Sequence, residues 1–253
     1  MVIGLDLFRH HFAAYENQYV LIGGSACVII MKNAGLTFRA TRDLDIVLCM
    51  EALDAEFVRA FWAFVQAGIY QQHYNDAGKP TYYRFSKPEN KKYPAMIELF
   101  SRKPDLLRDA EGKSHLTPIP MDECASLSAI LMDDAYYAFI QDGKISIDDI
   151  SLLDAEHLIP LKARAWLDLT KRKADGHSVD SKSITKHRND VFRLYQVLEP
   201  NVTIDIPRDI ANDMERFIQA MATEHVNLKS LGIQTLNWET LLDNLRGFYV
   251  QRH

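Results

Sequence analysis

The sequence contains little cysteine and no long hydrophobic run. Its 253 residues include only three cysteines, at positions 27, 49 and 124, and no two of them form a CxxC pair. This pattern argues against a zinc ribbon and a disulfide framework, and predicts reduced thiols in a hydrophobic core. No apolar stretch approaches the roughly 20 residues of a membrane span, and charged residues among the first positions argue against a secretory signal. We therefore expect a cytoplasmic protein that does not enter a membrane.

The chain also lacks an excess of positive charge. With 29 basic and 34 acidic residues its formal charge is −5, which argues against a generally basic nucleic-acid coat. Basic residues are nevertheless concentrated between positions 160 and 195, where nine cations and four anions give +5 and leave −10 for the rest. Such a zone favours a phosphate-bearing partner, although solvated helix faces give the same pattern.

Strand and helix patterns alternate in the first half of the chain, and the second half is helical in pattern. Predicted strands cover 20–22, 43–50, 81–86 and 95–100, and predicted helices cover 25–33, 53–66, 154–173, 183–198, 208–224 and 238–252. Residues 126–140 predict a hairpin, with a helix as the alternative. The expected fold is α+β: a mixed sheet flanked by helices at 1–150 and an all-helical domain at 151–253. A helix at 126–140 would move the boundary toward 120.

A glycine-rich turn lies between the first predicted strand and its helix. Gly23 and Gly24 allow close backbone approach, and Ser25 opens a helix whose unpaired amides favour an anion. The Ser25 hydroxyl can add a hydrogen bond to a phosphate. A tight strand-to-helix turn without any ligand is the alternative.

Two carboxylates follow on the next strand. Because strand side chains alternate, Asp43 and Asp45 lie on one face. Acidic residues are disfavoured inside strands, so the pair predicts a divalent cation such as Mg²⁺ or Mn²⁺. Arg39 and Arg42 are close enough in sequence to neutralise the pair, and they would equally suit a triphosphate tail.

Glu98 is the candidate third carboxylate. Its strand pattern places it on the same face as Met96 and Phe100, which is an unusual setting for an acid. A role as a metal ligand or base would explain the position, and an exposed glutamate on an edge strand is the alternative.

Two further charged residues stand out in the helical half. Lys162 projects from the apolar stripe of its helix, so it either extends to solvent or binds phosphate as a point charge. Asp190 lies four residues after Lys186, and an ordinary ion pair on one helix is the alternative to a catalytic role.

Together these residues resemble the nucleotidyltransferases of the DNA polymerase β superfamily. They are most similar to the AbiEii/AbiGii family, the toxin halves of type IV toxin–antitoxin systems, which includes the MenT-type toxins. The resemblance covers residues 18 to 198 and is carried by Gly24-Ser25 with Asp43-Leu44-Asp45, by Leu161-Lys162-Ala163-Arg164-Ala165-Trp166, and by Lys186-His187-Arg188-Asn189-Asp190-Val191.

The resemblance implies a polymerase β-type catalytic domain at 1–150 and a helical domain at 151–253 that contributes Lys162 and Asp190 to the cleft. It implies that Asp43 and Asp45 bind the metal ions, that Ser25 and Lys162 bind the triphosphate, and that Asp190 completes a catalytic set with Asp43, Asp45, Glu98 and Lys162. Glu98 stands where the superfamily places a third carboxylate, more often an aspartate, and is expected to be a metal ligand. From the residues themselves we also expect Gly23, Gly24, Arg39 and Arg42 to bind the nucleotide.

The resulting hypothesis is a metal-dependent enzyme that moves a nucleotide from an NTP to an acceptor hydroxyl and releases pyrophosphate. RNA is the expected acceptor, since MenT-type relatives modify the 3′ end of tRNA, and a cognate antitoxin is the expected protein partner. A small-molecule or protein hydroxyl is the alternative acceptor. A catalytically silent module that works by binding a partner is the alternative from a different functional class.

Overall fold

The chain has an α+β fold, as the sequence predicts. A computed structural model describes residues 2–74, 80–102, 116–118, 128–200, 202–224 and 226–251. The chain divides into two compact units: Met1–Ile29 with Arg39–Leu153, and Ile30–Phe38 with Asp154–His253. The division after residue 153 lies close to the predicted boundary at 150, but residues 30–38 belong with the later unit.

A mixed sheet forms the centre of the first unit. Its strands are β1 Tyr19–Ile22, β2 Asp43–Leu48, β3 Gln71–Tyr74, β4 Pro80–Ser86, β5 Met96–Ser101, β6 Leu116–Pro118, β7 Ser128–Leu131, β8 Lys144–Ile147 and β9 Ile150–Leu153. They are ordered β3-β4-β5-β2-β1-β9-β8, and β7 pairs with both β5 and β6. The β2–β5, β1–β9 and β5–β7 pairs are parallel, and the remaining pairs are antiparallel. The central strands β1 and β2 therefore lie in the core of this unit.

The helices of this unit are α1 Leu5–Phe12, α2 Gly23–Asn33, α3 Ala55–Gly68 and α4 Asp134–Asp142, of which α2 continues into the second unit. Asp54 starts α3 by accepting a hydrogen bond from the Phe57 amide. Phe57, Phe61 and Phe64 recur on one face of α3 and are buried among the rings of α1. This aromatic cluster is where α1 and α3 pack together.

The hairpin predicted at 126–140 is wrong in its second half. Residues 128–131 form β7, but α4 follows, and residues 126 and 127 lie outside the described part of the chain. Asp133 accepts a hydrogen bond from the Ala135 amide at 2.9 Å, which makes it the N-cap of α4. The Asp133-Asp134 pair is thus a helix start, and not the turn of a hairpin.

The second unit contains α5 Ala155–Ala174, α6 Ser181–Tyr195, α7 Arg208–Met221 and α8 Trp238–Phe248. The prediction that it is all-helical is wrong, because β10 Ile204–Ile206 pairs in parallel with β11 Tyr249–Gln251. The last helix therefore ends four residues earlier than its predicted end at 252. The Tyr249 hydroxyl donates to the Glu156 backbone oxygen at 2.7 Å, and this buried contact holds the chain as it leaves α8.

Two predictions from composition concern membrane-spanning helices and cysteine thiols. Within the described ranges no helix is long and apolar enough to cross a membrane. Cys27 and Cys49 are buried thiols, as predicted, whereas Cys124 lies outside these ranges.

Candidate active site

Gly23, the first residue of α2, directly follows β1 and lies against a carboxylate. Gly23 has φ +69°, a left-handed conformation that suits glycine. A Cβ atom built on Gly23 would lie 1.8 Å from Oδ2 of Asp45. The contact follows from strand register, because Ile22 pairs with Asp45 and so brings the end of β1 beside this carboxylate. Only a residue without a side chain fits here while Asp45 keeps its position.

The next residue, Gly24, lies close to a hydroxyl and a guanidinium. A Cβ atom built on Gly24 would lie 2.8 Å from Oγ1 of Thr41 and 3.6 Å from Nη2 of Arg39. An acid therefore lies beside Gly23, and two hydrogen-bond donors lie beside Gly24. We call Gly23, Gly24, Arg39, Thr41 and Asp45 the glycine cradle. Thr41 has no place in the sequence prediction, because a lone threonine before a strand carries no motif.

Ser25 has a different contact from the predicted one. It is fully buried, and its hydroxyl donates to the backbone oxygen of Asp43 at 2.5 Å. A hydroxyl has a single hydrogen to donate. In this conformation the Ser25 hydroxyl links α2 to β2 by a hydrogen bond. Its only hydrogen is used in this bond, so the side chain cannot donate to a phosphate.

The carboxylates lie on one face of the central strands. Along β2, Asp43 and Asp45 are partly exposed and alternate with buried residues, which agrees with the predicted shared face. The parallel pairing of β2 with β5 sets Asp45 beside Glu98. Paired residues of adjacent strands project from the same side of a sheet. Asp43, Asp45 and Glu98 therefore share a face.

Glu98 is bound by an arginine from the next strand. Antiparallel pairing of β4 with β5 places Arg84 opposite Glu98, and both Nε and Nη2 of Arg84 lie 2.5 Å from Glu98 Oε1. The alternative of an edge-strand position is wrong, because β5 lies between β4 and β2. Sequence reasoning missed Arg84, since its importance depends on a register that the local pattern does not specify.

The acidic face does not form a metal site from described protein ligands alone. Among the described residues, no three His, Cys, Asp or Glu side chains form a group that could hold a metal ion. Mg²⁺ needs fewer protein ligands, because one or two carboxylates and the phosphates of a substrate suffice. Asp43 and Asp45 can supply these beside the glycine cradle. Glu98, predicted as a third ligand, is instead in contact with Arg84.

Lys162 and Asp190 are brought together inside the second unit. Lys162 on α5 is 4% exposed, Asp190 on α6 is fully buried, and their Nζ and Oδ2 atoms lie 3.5 Å apart. Arg193 approaches the other oxygen of Asp190 at 3.6 Å. The alternative in which Lys162 extends to solvent is therefore wrong. The predicted contribution of this pair to nucleotide binding stays a prediction.

Ion pairs neutralise part of the positive charge of the basic zone between positions 160 and 195. Three of its arginines bind carboxylates of the second unit: Arg164 binds Asp213, Arg188 binds Glu224 and Arg193 binds Asp190. Four of its other cations are exposed and lie near the connection between α5 and α6: Lys171, Arg172, Lys173 and Lys182. The surface of this zone that suits a polyanion therefore lies at the α5–α6 connection.

Substituting Gly23 by alanine is expected to destabilise the protein more than the same change at Gly35. Both glycines have φ near +70°, but a Cβ atom on Gly35 would meet no atom within 4 Å. The two variants share the backbone strain, and Gly23→Ala adds overpacking worth about 1–3 kcal/mol. Urea unfolding followed by circular dichroism measures the difference. Equal losses would contradict the close contact with Asp45, and Asp45→Ala in the Gly23→Ala background should recover part of the loss.

No protein-family model matches the chain, and no curated protein matches its sequence. The residues of this chain and their geometry are therefore what indicates its function.

Proposed function

We propose that this chain is a nucleotidyltransferase of the DNA polymerase β type, dependent on Mg²⁺ or Mn²⁺ and similar to the AbiEii/AbiGii toxins. The observation that carries the proposal is the glycine cradle. In it the first residues of a helix lie close to an acid and to hydrogen-bond donors: Asp45 is beside Gly23, and Thr41 and Arg39 are beside Gly24. A phosphate chain with its metal ion needs both an acid and donors within reach of the backbone.

The chemistry transfers a nucleoside monophosphate. An acceptor hydroxyl oxygen bonds to the α-phosphorus, the bond from that phosphorus to the bridging oxygen breaks, and pyrophosphate leaves. Asp43 and Asp45 would hold the divalent cation, which supplies charge stabilisation at the reacting phosphate. Arg39 and the first amides of α2 bind the phosphate oxygens. Glu98 is the candidate base for the acceptor proton once its contact with Arg84 is released.

RNA is the proposed acceptor, and the exposed cations near the α5–α6 connection support it. A cluster of lysines and arginines attracts a phosphodiester backbone and makes binding sensitive to salt. The toxin role, the tRNA 3′ end as the modified position and a cognate antitoxin extend this proposal by the family resemblance. They are proposed together with the RNA acceptor.

Incubating the full-length protein with each α-labelled NTP, Mg²⁺ and total RNA tests the proposal. We expect label on RNA from at least one nucleotide, and no label when EDTA removes the metal. Label on protein or on a small-molecule fraction would indicate that the acceptor is a protein or small-molecule hydroxyl and not RNA. Equal labelling by wild type and an Asp43→Asn/Asp45→Asn variant would contradict the enzyme and favour a silent partner-binding module.

A further inference from the structure

A charged row crosses three strands of the sheet in the first unit. Strand register places Asp45 on β2 beside Glu98 on β5, and Glu98 beside Arg84 on β4. Two nitrogens of Arg84 bind one oxygen of Glu98. The row therefore ends in an arginine that neutralises Glu98, the residue paired with Asp45.

The two partners of this ion pair differ in their freedom to move. The Glu98 side chain is 14% exposed, whereas that of Arg84 is 44% exposed. Glu98 is therefore held by its surroundings, and Arg84 can leave into solvent. Ion pairs with an exposed partner contribute little net stability. A ligand of high negative charge can thus compete for the guanidinium, which forms bidentate hydrogen bonds with phosphate oxygens.

We propose that Arg84 is a nucleotide-dependent positioning residue. Without nucleotide it keeps Glu98 from joining Asp43 and Asp45 around a divalent cation. With a nucleoside triphosphate bound, its guanidinium moves to a phosphate oxygen and Glu98 becomes available to the metal ion and to the acceptor proton. This inference rests on the proposed nucleotidyl transfer and adds its order of assembly, in which nucleotide binding completes the metal site.

The consequence is a coupling between the two ligands. If nucleotide binding releases Glu98, the nucleotide must strengthen metal binding, and by linkage the metal must strengthen nucleotide binding equally. A chain that keeps Glu98 but lacks the arginine should bind the metal more tightly without nucleotide. In such a variant, the nucleotide should also strengthen metal binding by a smaller factor than in wild type.

Titration of the full-length protein with Mn²⁺, followed by electron paramagnetic resonance, tests this without any transfer reaction. Arg84→Gln is expected to bind Mn²⁺ about tenfold more tightly than wild type in the absence of nucleotide. Arg84→Lys keeps the charge but cannot contact Glu98 through two nitrogens. Its Mn²⁺ affinity should therefore lie between those of wild type and Arg84→Gln. Adding Glu98→Gln to Arg84→Gln should return the affinity to the wild-type level, because the released carboxylate is then missing.

Arg102→Gln is the matched control. Arg102 also pairs with a glutamate of the first unit, with Nε 2.9 Å from Glu51 Oε1, so its loss changes the net charge equally. Its Mn²⁺ affinity should equal that of wild type. Unchanged or weaker Mn²⁺ binding by Arg84→Gln, with a wild-type thermal midpoint, would overturn the proposal.

The result separates this inference from the proposed function. If wild type transfers nucleotides and Arg84→Gln shows no gain in Mn²⁺ affinity, only the role of Arg84 fails. If no transfer is found but Arg84→Gln gains affinity and the double variant loses it, the control of Glu98 by Arg84 holds and the transfer reaction fails.

Discussion

Replacing Asp45 by asparagine is expected to lower nucleotide transfer at least about a hundredfold while leaving the protein as stable as wild type. Asparagine has the shape of aspartate, so it keeps the side chain that fills the space beside Gly23. It removes the charge that a divalent cation requires, and with it the repulsion from Asp43 on the same face. Label incorporation into RNA measures the first effect, and the thermal midpoint measures the second.

Asp205→Asn is the control for this substitution. Asp205 is an exposed strand aspartate of the second unit, on β10. Its variant should transfer nucleotides at the wild-type rate. A fall of several degrees in the midpoint of Asp45→Asn with retained transfer would instead mean that Asp45 is a structural residue. The substitution to asparagine is preferable to alanine, because alanine would leave a space at the glycine turn.

The local part of this site could be predicted from the sequence. The period of two in a strand places Asp43 and Asp45 on one face without further knowledge. A Gly-Gly pair between a strand and a helix likewise indicates a turn with close backbone approach. What surrounds the turn was not predictable, since the approach of Thr41 and Arg39 to Gly24 depends on how the loop before β2 folds back.

Features that depend on register or distant pairing were missed. Arg84 meets Glu98 only because β4 and β5 pair in one specific register, and no local pattern encodes that choice. The pairing of β10 with β11 joins strands more than 40 residues apart, so helical periodicity near the C-terminus predicted one continuous helix. The odd position of Lys162 on its helix was visible in the sequence, but its partner on the next helix was not.

The buried Lys162–Asp190 pair predicts a large loss of stability when one partner is removed. Asp190→Asn leaves the Lys162 ammonium buried without its counter-charge, which costs about 3–5 kcal/mol. Lys162→Met should cost less, because Arg193 still lies 3.6 Å from Asp190. Urea unfolding followed by tryptophan fluorescence suits this test, since Trp166 and Trp238 lie in the helices of the second unit.

The control for these variants is Asp168→Asn. Asp168 accepts a hydrogen bond from Arg164 in an exposed pair on α5, and its loss should cost at most about 0.5 kcal/mol. Equal losses for Asp168→Asn and Asp190→Asn would contradict the importance of burial.

The double variant Lys162→Met/Asp190→Leu separates stability from chemistry. It removes both charges and leaves apolar side chains in a buried position, so it should regain most of the stability that Asp190→Asn loses. If the refolded double variant transfers nucleotides at the wild-type rate, the pair serves the fold alone, and the resemblance to the toxin family fails at these two residues. If it folds and does not transfer, the charges are needed for more than stability. The family resemblance predicts the second result, because it implies that Lys162 binds the triphosphate and that Asp190 completes the catalytic set.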